Sequence, residues 1–168
     1  PQDVDRLSQE SPEEYAFIKK LDTLMKGFPL TEAIHHLNYT NLCFFRSSNV
    51  KELSQNDWKL SLPLLEEYIQ FIQPPWILVT TIGFDTHAKI FRVMSPIELK
   101  SKVVNQGSRK YKSSIVKMSQ NEDSPTLIGF VPYPGQAGGI NEENKEALYS
   151  WVLAELKIIE WWNQAKNT

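Results

Sequence analysis

Apolar residues recur every three or four positions in the first part of the chain. The run follows Ser11, Pro12 and two acidic residues, a combination that favours the first turn of a helix because the hydroxyl caps free amides and the acids lie at the positive end of the helix dipole. The apolar positions that follow are Tyr15, Ile18, Leu21 and Leu24. With Gly27 as its terminator, this pattern predicts a helix over residues 11–26.

Predicted strands and helices alternate in the middle of the chain. In order, the elements are a short helix over 31–36, a strand over 38–45, a helix over 62–72 that ends at Pro74-Pro75, a strand over 76–82 and, after Gly83, a helix over 84–93. The strand over 76–82 is continuously apolar or β-branched, which is typical of a strand covered on both faces. The alternation itself favours a parallel α/β sheet.

The last part of the chain predicts two short strands, a glycine-rich loop and a long helix. The strands fall at 113–118 and 125–131, and the loop occupies 132–139. Asn141 is placed to cap a final helix over 142–162.

These elements predict one α/β domain over residues 1–168, a three-layer α/β/α arrangement around a central, mostly parallel sheet of about four strands. Ligands of such folds bind where the carboxyl ends of parallel strands converge. The loops after Asn41, Ile82 and Val131 are therefore the candidate ligand-binding loops.

Charge and cysteine content narrow the function classes. With 18 Lys and Arg against 20 Asp and Glu, the net charge of −2 excludes a protein held to nucleic acid by bulk charge, so any such contact needs a local patch. Cys43 is the single cysteine, which excludes a disulfide framework and favours a reducing compartment. No apolar run is long enough for a membrane helix and the N-terminus does not resemble a signal peptide. We expect a cytoplasmic monomer without a membrane association.

Candidate metal and cofactor sites are absent from the sequence pattern. The three histidines, His35, His36 and His87, lack metal-ligand spacing. Gly83 stands alone before its predicted helix, without a dinucleotide or phosphate-loop motif. We therefore expect neither a metal nor a cofactor.

A basic segment is the main candidate for contact with nucleic acid. Residues 100–117 contain no acid and hold six cations, Lys100, Lys102, Arg109, Lys110, Lys112 and Lys117. One interpretation is a solvated loop. The other is a local positive patch that binds a phosphate backbone, with Arg109, Lys110 and Lys112 among its contacts.

Three residues around the strand over 38–45 are candidates for recognition of a base. The amide of Asn41 can donate and accept together, as the edge of a pyrimidine requires, although the same amide could cap the strand end. Phe44 could stack on a base or belong to the core. Arg46 is costly to bury unpaired, so we expect it to pair with a carboxylate or with a phosphate.

Four stretches, in order, resemble the uracil-DNA glycosylase superfamily: Tyr39-Thr40-Asn41, the helix over 62–72, the run from Pro74-Pro75 to Gly83, and Tyr133-Pro134-Gly135 before the last helix. The resemblance covers about residues 11–160. It implies a protein of DNA repair that flips a uracil or damaged base out of DNA and hydrolyses its N-glycosidic bond.

The resemblance also implies roles for individual residues. Asn41, with Phe44, would bind the base, and Ile140 would be a wedge between bases. The residues expected to contact DNA are Arg46, Pro132, Tyr133, Pro134, Gly135 and Gln136.

Two departures from the family pattern leave the catalytic residues unassigned. Tyr133 stands where the family loop has His. The family's water-activating turn, of the type Gly-x-x-Pro-Gly, is absent from residues 1–10. Either the chain begins inside the domain, without its first strand, or it has lost the glycosylase chemistry.

Three functions therefore stay open. The first is a uracil-DNA glycosylase-like hydrolase. The second is a non-catalytic domain of the same fold that binds nucleic acid or a nucleotide. The third is an unrelated interaction module whose contact face includes Trp151, Trp161 and Trp162, residues that core packing would explain equally well.

Overall fold

The computed structural model of the protein describes residues 12–33, 37, 55–81, 97–117, 126–135 and 139–166. The helices are α1 (Pro12–Leu24), α2 (Leu30–Ala33), α3 (Gln55–Ile72), α4 (Glu142–Glu155) and α5 (Ile158–Ala165). The strands are β1 (Trp76–Thr81), β2 (Ile97–Gln106), β3 (Arg109–Lys117) and β4 (Leu127–Pro132). The predicted strand over 38–45 and the predicted helix over 84–93 lie outside the described residues.

The four strands form one mixed sheet in the order β1-β4-β3-β2. β1 and β4 are parallel, whereas β4 with β3 and β3 with β2 are antiparallel pairs. An α/β protein with a four-stranded sheet is confirmed, but the prediction of a mostly parallel sheet is wrong. One reason is that β2 and β3 are joined by a tight hairpin, which permits only antiparallel pairing, and β3 then also pairs antiparallel with β4.

The β2–β3 hairpin occupies the basic segment, for which the sequence predicted only the strand over 113–118. Gln106 pairs with Arg109, which leaves a two-residue turn at Gly107-Ser108. Gly107 has a φ of +59°, and a positive φ at the first turn position is what a type II′ hairpin requires. β2 is one of the two edge strands of the described sheet, and its lysines protect that edge against pairing with other chains.

Helices pack on both faces of the sheet because successive residues of a strand point to opposite sides. On one face, Ile115 and Val131 belong to a buried cluster shared with α1, α4 and α5. On the other face, Val116, Ile128 and Phe130 belong to a cluster shared with α3. Each face of the central strands therefore contributes to its own core.

Two helices differ in extent from their predictions. α3 begins at Gln55, so Pro63 lies inside the helix instead of in its first turn. The long last helix is interrupted at Lys157, whose φ of +53° ends α4 and begins α5. The predicted cap at Asn141 is confirmed, since its side chain accepts a hydrogen bond of 2.9 Å from the backbone N–H of Asn144.

None of the helices among the described residues has both the length and the apolar character needed to span a membrane.

Candidate nucleic-acid interface

The site lies at the end of the sheet where the parallel strands β1 and β4 finish, which we call the carboxyl edge. Thr81, the last residue of β1, pairs with Pro132, the last residue of β4. Residues 132–135 continue from this point as a loop, and helix α4 begins shortly afterwards at Glu142. Convergence of strand ends, a loop and a helix N-terminus is the usual setting of ligand sites in α/β folds.

Side chains of helix α4 form hydrogen bonds with the 132–135 loop. The hydroxyl of Tyr149 donates a hydrogen bond of 2.8 Å to the carbonyl of Pro132. Burial raises the pKa of Tyr149, and the repulsion that a Tyr149 phenolate would have with an ionised Tyr133 adds to that effect, so the hydroxyl stays protonated and remains a donor. The strand end is thus fixed by a neutral, partly buried hydrogen bond.

One helical turn earlier, Lys145 holds the next part of the same loop. Its Nζ donates to the carbonyl of Gly135 at 2.5 Å and to that of Pro134 at 3.3 Å. Lys145 is only 1% exposed, the one charged side chain buried among the described residues. A buried ammonium needs such partners because burial without them is very unfavourable.

An ion-pair chain connects this anchor to α1. Glu142 lies 3.3 Å from Lys145 and 2.9 Å from Lys20. The hydrogen bond from Lys20 is the largest cause that lowers the pKa of Glu142, followed by the contribution of Lys145. Glu142 is therefore an anion that links α1 to the start of α4.

Tyr133 is held by packing. Its ring lies 5.7 Å from the ring of Phe17 in α1, centroid to centroid. A Cβ atom at Gly135 would lie 2.7 Å from the edge of the Tyr133 ring, so only glycine fits without a shift of that ring. Tyr133 is thus half-buried between α1 and Gly135.

The tip of the β2–β3 hairpin, residues 106–110, is tied to the same edge. β3 pairs with β4 only from Ser114 onward, so the turn lies beyond their last shared pair, on the side where β4 ends. The side chain of Gln106 donates 2.9 Å to the carbonyl of Gly139 and accepts 2.7 Å from the backbone N–H of Asn141. These two bonds join the hairpin tip to the residues that precede α4.

Arg109 reaches the same place from the other strand of the hairpin. A Cβ atom at Gly139 would lie 2.9 Å from its Nη1, so the guanidinium rests against the backbone there. Gly139 also has a φ of +68°, which disfavours any larger residue. The structure therefore brings the basic segment and the residues after β4 together, two features that the sequence could only treat separately.

The cations of the basic segment differ in the partners they have among the described residues. Lys100 forms an ion pair with Glu155 at 2.6 Å, Lys112 forms one with Glu98 at 2.8 Å, and Lys102 donates to the carbonyl of Ala147. Arg109 and Lys110 are exposed and have no ion pair among the described residues. Arg109 and Lys110 thus place two adjacent cations without a carboxylate partner at the hairpin tip, whereas Lys117, which also has no ion pair among the described residues, lies at the opposite end of β3.

The other predicted site residues are distributed as follows. Asn41, Phe44, Arg46 and Gln136 lie outside the described residues, whereas Pro132, Tyr133, Pro134 and Gly135 form the anchored loop.

Ile140 is only 6% exposed, so its prediction as a wedge between bases is wrong; the side chain belongs to the buried core. The described residues contain no group of His, Cys, Asp and Glu that could hold a metal.

The C-terminal tryptophans pack against the core. Trp162 is buried beside Phe28 at 6.1 Å, and Trp161 meets Trp76 edge to face at 5.3 Å. Trp151 is partly buried against the same cluster. These contacts favour the packing interpretation over an exposed contact face.

Two residues of the site were missed in the sequence, Gln106 and Lys145. Gln106 directly precedes Gly107-Ser108, a dipeptide that favours a two-residue hairpin and could have placed it at a hairpin tip. Lys145 lies in a run of charged and polar residues, where nothing distinguishes a buried lysine from solvated ones.

Compared with protein-family models, curated proteins and solved structures, the chain gives no significant match in any of the three.

Proposed function

We propose that this protein binds DNA at the carboxyl edge of its sheet and removes uracil or a damaged base from it. The phosphate backbone would contact Arg109 and Lys110, and the base would enter beside the 132–135 loop. Hydrolysis of the N-glycosidic bond is the activity that the resemblance to the uracil-DNA glycosylase superfamily implies.

The observation that supports the proposal best is the pair of hydrogen bonds from Gln106 to Gly139 and Asn141. They hold the hairpin tip, which carries Arg109 and Lys110, next to Gly139 and Asn141, the residues that precede α4. Cations beside a ligand-binding edge provide the local positive patch that a chain of net charge −2 needs in order to bind a polyanion.

A non-catalytic DNA-binding domain of the same fold is the second candidate. The packing of Tyr133 against Phe17 favours it, because a neutral phenol held by its ring is a poor substitute for the acid-base chemistry of a histidine. Under this alternative the carboxyl edge would bind the polymer without cleaving a bond.

Release of uracil distinguishes the two candidates. The unaltered chain is incubated with single- and double-stranded oligonucleotides that contain one uracil, and abasic sites are revealed by alkaline cleavage. We expect release for the enzyme. Salt-sensitive binding without release would support the second candidate, and the absence of both release and binding would contradict each of them.

Asn41→Ala tests base recognition within the same assay, although Asn41 lies outside the described residues. If its amide binds the uracil edge, uracil release should fall by roughly a hundredfold while the free energy of unfolding changes by less than about 0.5 kcal/mol. Asn38→Ala, from the same predicted strand, is the control and should retain activity. A large loss of stability in Asn41→Ala would instead identify Asn41 as a structural cap.

A further inference from the structure

We infer that Lys145 is a positioning residue that fixes how the 132–135 loop presents its backbone to DNA. This inference rests on the proposed DNA-binding function. It names a role for a residue that lies beneath the site and does not reach its surface.

The geometry of one peptide group is the first step. The carbonyl of Pro134 accepts a hydrogen bond from Lys145, and the described chain contains no cis peptide bond. In a trans peptide the carbonyl and the following N–H point in opposite directions. The N–H of Gly135 therefore points away from the Nζ of Lys145.

The second step is the choice of a buried lysine for this task. Lys145 is 1% exposed, and its Nζ has two carbonyl partners in the loop and one carboxylate partner, Glu142. An ammonium donates three hydrogen bonds and accepts none, so it can hold two successive carbonyls on the same side. An apolar side chain would leave the buried carbonyl of Pro134 and the half-buried carbonyl of Gly135 without this donor.

The third step connects this anchor to binding. Pro132 and Pro134 have no N–H, so Gly135 provides one of the few backbone donors that the described part of the loop can offer. A backbone N–H held in a fixed direction binds an anionic oxygen without first having to be ordered. Lys145 thus acts on DNA through the orientation of the Gly135 amide.

Lys145→Met tests this role through two readouts. In the protein without DNA, the NMR order parameter of the Gly135 amide should fall from about 0.85 to below about 0.6, because its peptide group is released. Affinity for a fluorescein-labelled duplex should fall about tenfold, the loss expected for one charge-assisted hydrogen bond. The slope of log affinity against log salt should not change, because buried Lys145 contacts no phosphate.

Lys26→Met is the matched control. Lys26 donates a hydrogen bond of 2.7 Å to Glu146, the residue next to Lys145 in α4, but does not bond the loop. Its removal should leave the Gly135 order parameter and the DNA affinity unchanged. Lys145→Gln keeps N–H donors on a shorter side chain, so its Gly135 order parameter and DNA affinity should be intermediate. This variant is used in place of Lys145→Met if the Met variant does not fold.

Several results would overturn the inference. They are an unchanged Gly135 order parameter in the Lys145 variants, an unchanged affinity despite a mobile loop, or a salt slope that becomes shallower as if a phosphate contact had been lost. If the unaltered protein binds no DNA, the proposed function fails, and the order parameter still decides whether Lys145 orders the loop.

Discussion

At the scale of single residues, several charged side chains among the described residues bond to other parts of the chain. Glu98 illustrates this on the exposed part of the sheet, where its carboxylate accepts from Lys112 with both oxygens at 2.8 Å and from Ser114 at 3.1 Å. Partial burial alone would raise the pKa of Glu98, but the hydrogen bonds and charge of Lys112, with the hydroxyls of Ser114 and Ser101, outweigh it and lower the pKa below 4.5.

Glu98→Gln should therefore reduce stability in a pH-dependent way. A carboxyl whose pKa is lower in the folded state stabilises the fold above the unfolded-state pKa, and this contribution disappears as the pH falls through the folded-state pKa. Because the Glu98 and Lys112 side chains are 37% and 35% exposed, solvent screening limits the effect to less than about 1 kcal/mol. Urea unfolding should give the largest difference from the unaltered protein near neutral pH and none well below pH 4.5.

Glu67→Gln is the control for the loss of one negative charge. Glu67 lies at an exposed position of α3. Its difference from the unaltered protein should stay small and constant over the same pH range. A Glu98→Gln variant that behaved in the same way would contradict a stabilising role for the Glu98 network.

At the scale of elements, strand β4 and helix α4 approach each other closely at Gly129. A Cβ atom there would overlap the side chains of Val152 and Leu156. Gly129 itself is buried in the middle of the sheet, paired with Leu78 on one side and Ile115 on the other. The absence of a side chain at this position sets the depth at which α4 packs.

Gly129→Ala should therefore destabilise the fold by about 1–3 kcal/mol, the range for overpacking a close-packed core. Urea unfolding measures the loss. Gly107→Ala is the comparison. No neighbouring atom lies within 4 Å of a Cβ atom at this position, so backbone strain from the φ of +59° is the only cost expected there. That strain costs roughly 1 kcal/mol. A loss at Gly129 below about 0.5 kcal/mol would mean that α4 can move away from the sheet.

The secondary-structure elements also show which features local sequence patterns predict and which depend on contacts between distant residues. The strand over 76–82 and the cap at Asn141 were predictable, because a continuous apolar run and an Asn before two acids are local patterns. Strand β2 was not predicted, since its residues are mostly exposed and alternate only weakly between apolar and polar. Its identity as an edge strand depends on β3, which a local pattern does not contain.

At the scale of the whole molecule, a chain of net charge −2 places two adjacent cations, Arg109 and Lys110, at a hairpin tip that is bonded to the residues preceding α4. The sequence identified the basic segment but could not show which of its cations are paired. The partner of Lys100 is Glu155, which is distant in the sequence, and the partner of Lys112 is Glu98, which comes close only through the pairing of β2 with β3. The sequence also could not show that the hairpin tip lies at the carboxyl edge, because that position depends on the antiparallel pairing of β3 with β4. Long-range pairing therefore determines the candidate site.

The central claim is that the hairpin tip contacts the phosphate backbone, and the salt dependence of DNA binding tests it most directly. The anisotropy of a fluorescein-labelled duplex is titrated with protein over a series of salt concentrations, for the unaltered chain, Arg109→Ala/Lys110→Ala and the charge-preserving Arg109→Lys/Lys110→Arg. We predict that the alanine pair weakens binding and makes the slope of log affinity against log salt shallower by about 2, roughly one for each lost phosphate contact, whereas the charge-preserving pair keeps the slope. An unaltered chain that does not bind DNA, or an alanine pair with the same slope, would contradict the claim.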